Sequence, residues 1–146
     1  MPVIEEMVVV QRPRQDVFDF FIDPANIALY SSNIVEYEMV SGEVDKPGRV
    51  DKGAVRVAGR RLDFTSELLE VDPGRRVVIR STDAKIPYTL DLAFDDDGHG
   101  TRISWHQETE TLAGFFGKLA DAVVVKMYSH DVKSNLQKAK TLLEEA

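Results

Sequence analysis

The sequence predicts an α+β fold in which a curved antiparallel sheet of seven strands packs against one long C-terminal helix. Three observations carry that expectation: seven strand-like runs from Val3 onward, one helical insertion after the first of them, and an amphipathic segment from Thr111 to Glu144. A lone terminal helix covers one face of a large sheet and leaves space between the layers. What occupies that space is the functional question.

With 146 residues, 43% of them hydrophobic, the chain suits a single domain, 1–146, with a substantial core. No linker or repeat divides it. The absence of cysteine excludes disulfides, thiolate metal sites and thiol nucleophiles, and suits a reducing compartment. Met1 to Glu6 is neither basic nor followed by a long apolar run, unlike a secretory signal. The most apolar window, Leu112 to Tyr128, is interrupted by Lys118, Asp121 and Lys126, so no stable membrane insertion is expected. A cytoplasmic location follows as the expectation. A formal net charge of -7 argues against nucleic acid as a partner, because that binding depends on Lys and Arg neutralising phosphates.

The first run, Val3 to Gln11, ends at Arg12-Pro13. Val17, Phe18, Phe20, Phe21 and Ile22 then recur at helical spacing. Asp23-Pro24 starts a second short helix, expected to reach Tyr30: Asp caps it, and Pro at the first position lacks only a donor that would be orphaned there.

From Ile34 the period becomes two. Glu36 and Glu38 share one face of the run Asn33 to Val40, which puts Val35, Tyr37 and Met39 on the inner one. A turn at Gly59-Arg60, with Gly supplying positive φ, sets Val57 opposite Leu62, Val55 opposite Phe64 and Arg56 opposite Asp63. The turn Asp72-Pro73-Gly74-Arg75 sets Leu68 opposite Ile79, Ser66 opposite Ser81 and Glu67 opposite Arg80, with a bulge expected at Glu70 between Leu69 and Val71. The last turn, Asp95 to Gly100, sets Leu92 opposite Ile103, Leu90 opposite Trp105 and Tyr88 opposite Gln107. The hairpins agree on one inner face. Cross-strand ion pairs contribute only about 0.2 to 1 kcal/mol, so their value here is as register checks, since a one-residue slip reverses every side chain.

Thr111 is a candidate N-cap for the closing helix. Its inward stripe is expected to be Phe115, Leu119, Ala122, Val125, Tyr128, Val132, Leu136, Ala139 and Leu143. The β-branched run Val123 to Val125 lowers helix propensity and offers a strand as the competing reading. The amphipathic stripe around it favours the helix.

Arg12-Pro13 leading into Val17 to Asn26, then Gly59 to Glu67, Asp72 to Val77, Gly100 to Ser104, and finally Leu136, Lys140 and Leu142 to Glu144 follow in a telling order. That order resembles the START-like helix-grip (SRPBCC) superfamily, in its polyketide cyclase/dehydrase and lipid-transport branch, over nearly the whole chain. The resemblance implies a strongly curved seven-stranded sheet gripping the long helix, two short helices between strands 1 and 2, and an apolar ligand held between sheet and helix. Tyr30 stands where many similar sequences carry Trp. Fold alone does not identify chemistry.

The expected cavity-lining, ligand-binding set is Tyr37, Met39, Val55, Phe64, Ser66, Ile79, Ser81, Tyr88, Leu90, Trp105 and Gln107 from the sheet, with Phe115, Leu119 and Tyr128 from the helix. Apolar walls with a few orienting polar groups are the usual makeup of a small-molecule pocket. The competing reading is a solid core whose hydroxyls are satisfied by neighbours.

No metal and no cofactor is expected. His99, His106 and His130 share no ligand spacing and are expected at the surface. An EF-hand starting at Asp95 would need Glu at its twelfth position, where His106 stands; a solvated turn is expected instead. Arg56, Arg60, Arg61, Arg75, Arg76 and Arg80 read as a solvated charge ladder, with a partner-binding patch as the alternative. Gly114-Phe115-Phe116-Gly117 reads either as a hinge for a gate or as an irregular first helical turn.

Catalysis requires a group placed to move protons. By parity no His, Asp or Arg points inward from mid-strand, the direction of Glu70 stays open, and no catalytic residue is assigned. Binding or transport of a hydrophobic small molecule, such as a lipid, isoprenoid or polyketide, is therefore the leading expectation. A cyclase or dehydratase acting on a poly-β-ketone is the alternative. The resemblance also extends to ribosome-associating growth inhibitors and chaperone activators, so a macromolecular partner is a third reading, and the sequence specifies no protein partner.

Overall fold

The computed structural model describes residues 2–110, 115–116 and 119–146. The elements are β1 (Val3–Val10), α1 (Arg14–Ile22), a 3-10 turn (Pro24–Asn26) running into α2 (Ile27–Tyr30), β2 (Ile34–Ser41), β3 (Val50–Val57), β4 (Arg60–Asp72), β5 (Arg76–Ala84), β6 (Tyr88–Asp97), β7 (Gly100–Thr109) and α3 (Asp121–Glu145). The strands make one open, curved antiparallel sheet in the order β1-β7-β6-β5-β4-β3-β2.

That order explains the early helices. Strands β2 to β7 are successive neighbours, while β1 pairs with β7, so β1 and β2 sit at opposite edges. The connection between them must cross the whole sheet, and α1 and α2 make the crossing. Asp23 caps the second segment as expected, with Ala25 N donating to its Oδ1 at 2.9 Å.

Helix α3 lies over the inner face and buries Val132, Leu136, Ala139 and Leu143 among Ile4, Val8 and Val10 of β1, Phe18 of α1, Phe94 of β6 and Ile103 of β7. Its C-terminal half is also tied to the end of β1. Lys140 Nζ donates to Val9 O at 2.6 Å, Gln11 N donates to Glu144 Oε2 at 2.8 Å, and Arg12 Nη1 donates to Leu143 O at 2.7 Å.

Two hairpin registers differ from expectation by two residues. Between β3 and β4 the turn is Ala58-Gly59, both at positive φ (49° and 81°), so Val57 faces Arg60, Val55 faces Leu62 and Gly53 faces Phe64. Paired positive φ values match the strand twist of a two-residue hairpin better than a turn shifted to Gly59-Arg60. Between β6 and β7 the strands run closer to the turn, pairing Asp97 with Gly100, Phe94 with Ile103, Leu92 with Trp105, Leu90 with Gln107 and Tyr88 with Thr109. A displacement of two preserves the face of every side chain. The β4–β5 hairpin has the expected pairs Leu68–Ile79, Ser66–Ser81 and Glu67–Arg80, and its register shifts between Leu68 and Glu70, where the bulge was expected.

The charge pairing changes with the register. Arg56 faces Arg61, not Asp63. Arg61 instead contacts Glu36 at 2.8 Å and Asp63 at 3.0 Å, and Arg76 contacts Asp91 at 2.5 Å. Among the described residues neither Arg56 nor Arg80 forms an ion pair. In β2 a register shift between Ile34 and Glu36 makes Val35 the extra residue, so it is exposed and Ile34 turns inward instead.

Helix α3 begins at Asp121, ten residues after the candidate cap Thr111, which lies outside the described residues. Phe115 and Leu119 therefore precede the helix, and Leu119 is exposed. Within the helix Val124 is buried and Ala122 exposed, so the inward stripe opens at Val124. The Gly114-Phe115-Phe116-Gly117 hinge cannot be placed, since Gly114 and Gly117 lie outside the described residues.

Candidate functional site

Between the inner face of the sheet, the segment from Ile27 to Ile34, and the first half of α3 lies a cavity of about 170 Å³. Its sheet wall carries Tyr37, Val55, Val57, Leu62, Phe64, Ser66, Ile79, Tyr88, Leu90, Trp105 and Gln107; its helix wall carries Val124, Val125, Tyr128, Val132, Asn135 and Leu136, with Phe116 beside them.

Aromatic rings organise the sheet wall. Tyr37 and Phe64 lie 6.1 Å apart by ring centroids, and Phe64 meets Tyr88 edge-on at 6.2 Å. Gly53 lies between Tyr37 and Phe64 in the register, and a Cβ there would sit 2.4 Å from Glu36 O and 3.2 Å from the Phe64 ring. Glycine at that position lets the rings close over the backbone.

All four tyrosines of the chain, Tyr30, Tyr37, Tyr88 and Tyr128, line this cavity. Burial pushes the Tyr30, Tyr37 and Tyr88 phenols well above their ordinary value, with the negative charge of Asp51 adding to the effect at Tyr37. Burial raises Tyr128 to about 12, against a hydrogen bond with Gln107 that pulls the other way. These phenols stay protonated at neutral pH. Among the described residues two charged ones reach the cavity, Asp63 and Lys85, and both are exposed at its rim.

Behind Tyr37 lies a buried polar cluster. The Tyr37 hydroxyl donates to Asp51 Oδ2. Arg49 holds the same carboxylate, Nε to Oδ1 at 3.0 Å and Nη2 to Oδ2 at 2.6 Å, and its Nη1 donates to Ile22 O and Val44 O, each at 2.7 Å. Asp51 shares the inner parity of Val55 and Val57, which corrects the expectation that no Asp or Arg points inward. A second polar knot joins α3 to the segment after α2: Asn135 Nδ2 donates to Ser31 Oγ at 3.2 Å and to Asn33 Oδ1 at 2.9 Å, while Ser32 N donates to Asn135 Oδ1 at 3.1 Å.

Four residues of the expected lining stand off the wall. Met39 pairs with Asp51, past the polar cluster that closes this end. Ser81 lies beyond the last β5–β6 pair, Arg80–Thr89, where its Oγ accepts from Tyr88 N at 2.9 Å. Phe115 is partly buried against the cluster of Val57, Phe116 and Val124, with the Arg60 guanidinium 5.5 Å and the Lys85 ammonium 6.0 Å from its ring centre; its neighbour Phe116 lines the cavity instead. Leu119 precedes the helix and is exposed.

Glu70 is solvent-facing, 3.6 Å from Arg76, and so supplies no base to the cavity. His99 and His130 are exposed, and His106 is part-exposed between Glu5 and Glu108. Among the described residues no group of His, Asp and Glu is arranged to hold a metal ion, and no helix is long and apolar enough to cross a membrane.

A family model described as polyketide cyclase / dehydrase and lipid transport matches residues 1–144. No curated protein matches the sequence. Among solved structures, the protein TTHA0849 from Thermus thermophilus superposes with a TM-score of 0.85 at 20% identity, over 97% of each chain. A START superfamily protein from Mycobacterium smegmatis gives 0.78 at 10% identity, over 98% of this chain and 97% of that one. The Zhui aromatase/cyclase from Streptomyces sp. R1128 gives 0.75 at 20% identity, over 98% and 93%. At such identities the likeness is one of fold.

Proposed function

We propose that this chain, which belongs to the polyketide cyclase / dehydrase and lipid transport family, binds a hydrophobic small molecule between the sheet and α3 and carries it unchanged. The observation that carries this reading is a wall of apolar and aromatic side chains with four protonated tyrosines and, among the described residues, its only charges at the rim. Such a wall orients a ligand and supplies no group that exchanges protons near neutral pH.

Size narrows the ligand. A volume of about 170 Å³ lies below the roughly 300 to 1,000 Å³ of pockets for drug-sized molecules and near the ~150 Å³ of a cavity that takes benzene. The fitting ligand is a substituted ring or a short isoprenoid or acyl chain. The reading places the protein in the cytoplasm, with this molecule as partner and no nucleic acid.

Native mass spectrometry of the purified protein, organic extraction and titration with Nile red test it together. The expected result is a bound organic mass and saturable dye binding that the extract reverses. A protein that carries nothing and binds no dye saturably overturns it.

The cyclase or dehydratase reading draws on the Tyr37–Asp51 pair, which sets a buried carboxylate behind a lining residue. Turnover of a poly-β-ketone mimic by the wild-type protein, lost in Tyr37→Phe, would establish it over simple carriage.

A further inference from the structure

The tyrosines of the cavity are not equivalent in what they can offer a ligand. A tyrosine hydroxyl has one proton to give and a lone pair to receive with. At Tyr37 that proton is committed to Asp51, whose carboxylate is held from another direction by Arg49. Arg49 in turn is fixed by the carbonyls of Ile22 and Val44, so the array cannot rotate to free the proton. Arg49 and Asp51 are both buried, while Tyr37 itself lines the cavity. With its proton spent on Asp51, the Tyr37 hydroxyl can offer a ligand only a lone pair, and donation to a carboxylate strengthens it as an acceptor.

Other polar groups nearby are engaged internally. Gln107 Oε1 accepts from Trp105 Nε1 at 3.2 Å, and Asn135 spends its amide on Ser31, Ser32 and Asn33.

We propose that the Tyr37 oxygen receives a hydrogen bond from a hydroxyl on the ligand, so that the cavity selects a ring-sized apolar phenol or alcohol over a bare hydrocarbon or a carboxylate. The assignment deepens the carrier reading and rests on it. A carboxylate is disfavoured because it brings no proton for Tyr37 and gives up its hydration against an apolar wall, where Arg49 is already paired with Asp51 and Lys85 is out at the rim.

Isothermal titration calorimetry with para-propylphenol, para-propylanisole, propylbenzene and para-propylbenzoate separates the possibilities, because the four share shape and differ in the donor. The expected order has the phenol about tenfold tighter than the anisole and the hydrocarbon, with the benzoate weakest. In Tyr37→Phe the preference for phenol over anisole falls to about one. A second measurement needs no variant: across para-substituted phenols of similar size, affinity for the wild-type protein rises with phenol acidity. Equal binding of phenol and hydrocarbon, a flat acidity series, tighter benzoate, or an undiminished phenol preference in Tyr37→Phe each overturns the assignment and leaves the carrier reading standing. Binding of none of the four overturns the carrier reading, and this assignment with it.

Discussion

Arg49 grips Asp51 through two nitrogens, at 3.0 and 2.6 Å, with side chains only 4% and 5% exposed. Removing one partner strands the other as an uncompensated buried charge, which typically costs about 3–5 kcal/mol, whereas replacing both with apolar groups is often neutral. Arg49→Met is therefore expected to destabilise the fold by about that amount, and the double variant Arg49→Met/Asp51→Leu to recover most of it. Urea midpoints at neutral pH measure both. A double variant no more stable than Arg49→Met would show that the loss comes from the severed Ile22 and Val44 carbonyl bonds instead.

Gly53→Ala tests the backbone beneath the aromatic wall. The added methyl would stand 2.4 Å from Glu36 O, a backbone atom of the neighbouring strand, so β2 must move. Destabilisation of about 2 kcal/mol or more is expected, with weakened Nile red binding as Tyr37 and Phe64 separate. Unchanged thermal melting and dye affinity would show that the strands absorb the methyl without opening the wall.

The start of α3 yields a contrasting pair. Val124 is 2% exposed and Leu119 is 42% exposed. Val124→Ala is expected to cost about 2 kcal/mol through lost burial and an unfilled gap, and Leu119→Ala less than about 0.5 kcal/mol. Chemical denaturation of the two variants side by side decides it; a reversed ranking would mean that the inward stripe begins before Asp121.

These residues also show why parts of the molecule are legible in the sequence and others are not. Side-chain face in a strand has period two, so the registers around Ala58-Gly59 and Gly98-His99, each displaced by two residues, still put Val55, Phe64, Leu90 and Trp105 on the inner side. A bulge changes parity by one, and simple alternation misplaces Val35 for that reason. The Asn135 knot and the Arg49–Asp51 pair leave no trace in hydrophobic periodicity, because they are held by polar groups, near in sequence at Val44 and far at Ile22, Ser32 and Asn33, that a pattern of apolar residues does not register. One local signal is available: Asp51 has the parity of Gly53, Val55 and Val57, and a carboxylate on an inward strand face must find a buried partner. At Phe115 and Phe116 composition alone does not choose which ring turns inward, since either meets the helical spacing.

The four cavity tyrosines make stability fall at alkaline pH. An exposed phenol in the unfolded chain releases its proton near pH 10, while in the folded protein burial holds Tyr128 protonated up to about 12 and keeps Tyr30, Tyr37 and Tyr88 protonated past the ordinary value too. Above pH 10 the folded state therefore binds more protons than the unfolded one, and the free energy of unfolding declines as pH rises. The tyrosine contribution is fully present below pH 10 and is lost upward from there. Each tyrosine that ionises only on unfolding adds a slope of about 1.4 kcal/mol per pH unit. Urea titrations between pH 8 and 12 should show a plateau, then a steep loss, and phenolate absorbance should rise together with the loss of circular dichroism. Tyr128→Phe should make the alkaline slope shallower by one proton. Phenolate absorbance that rises near pH 10 in a protein still folded would show that the cavity admits hydroxide and that its tyrosines are not held protonated by burial.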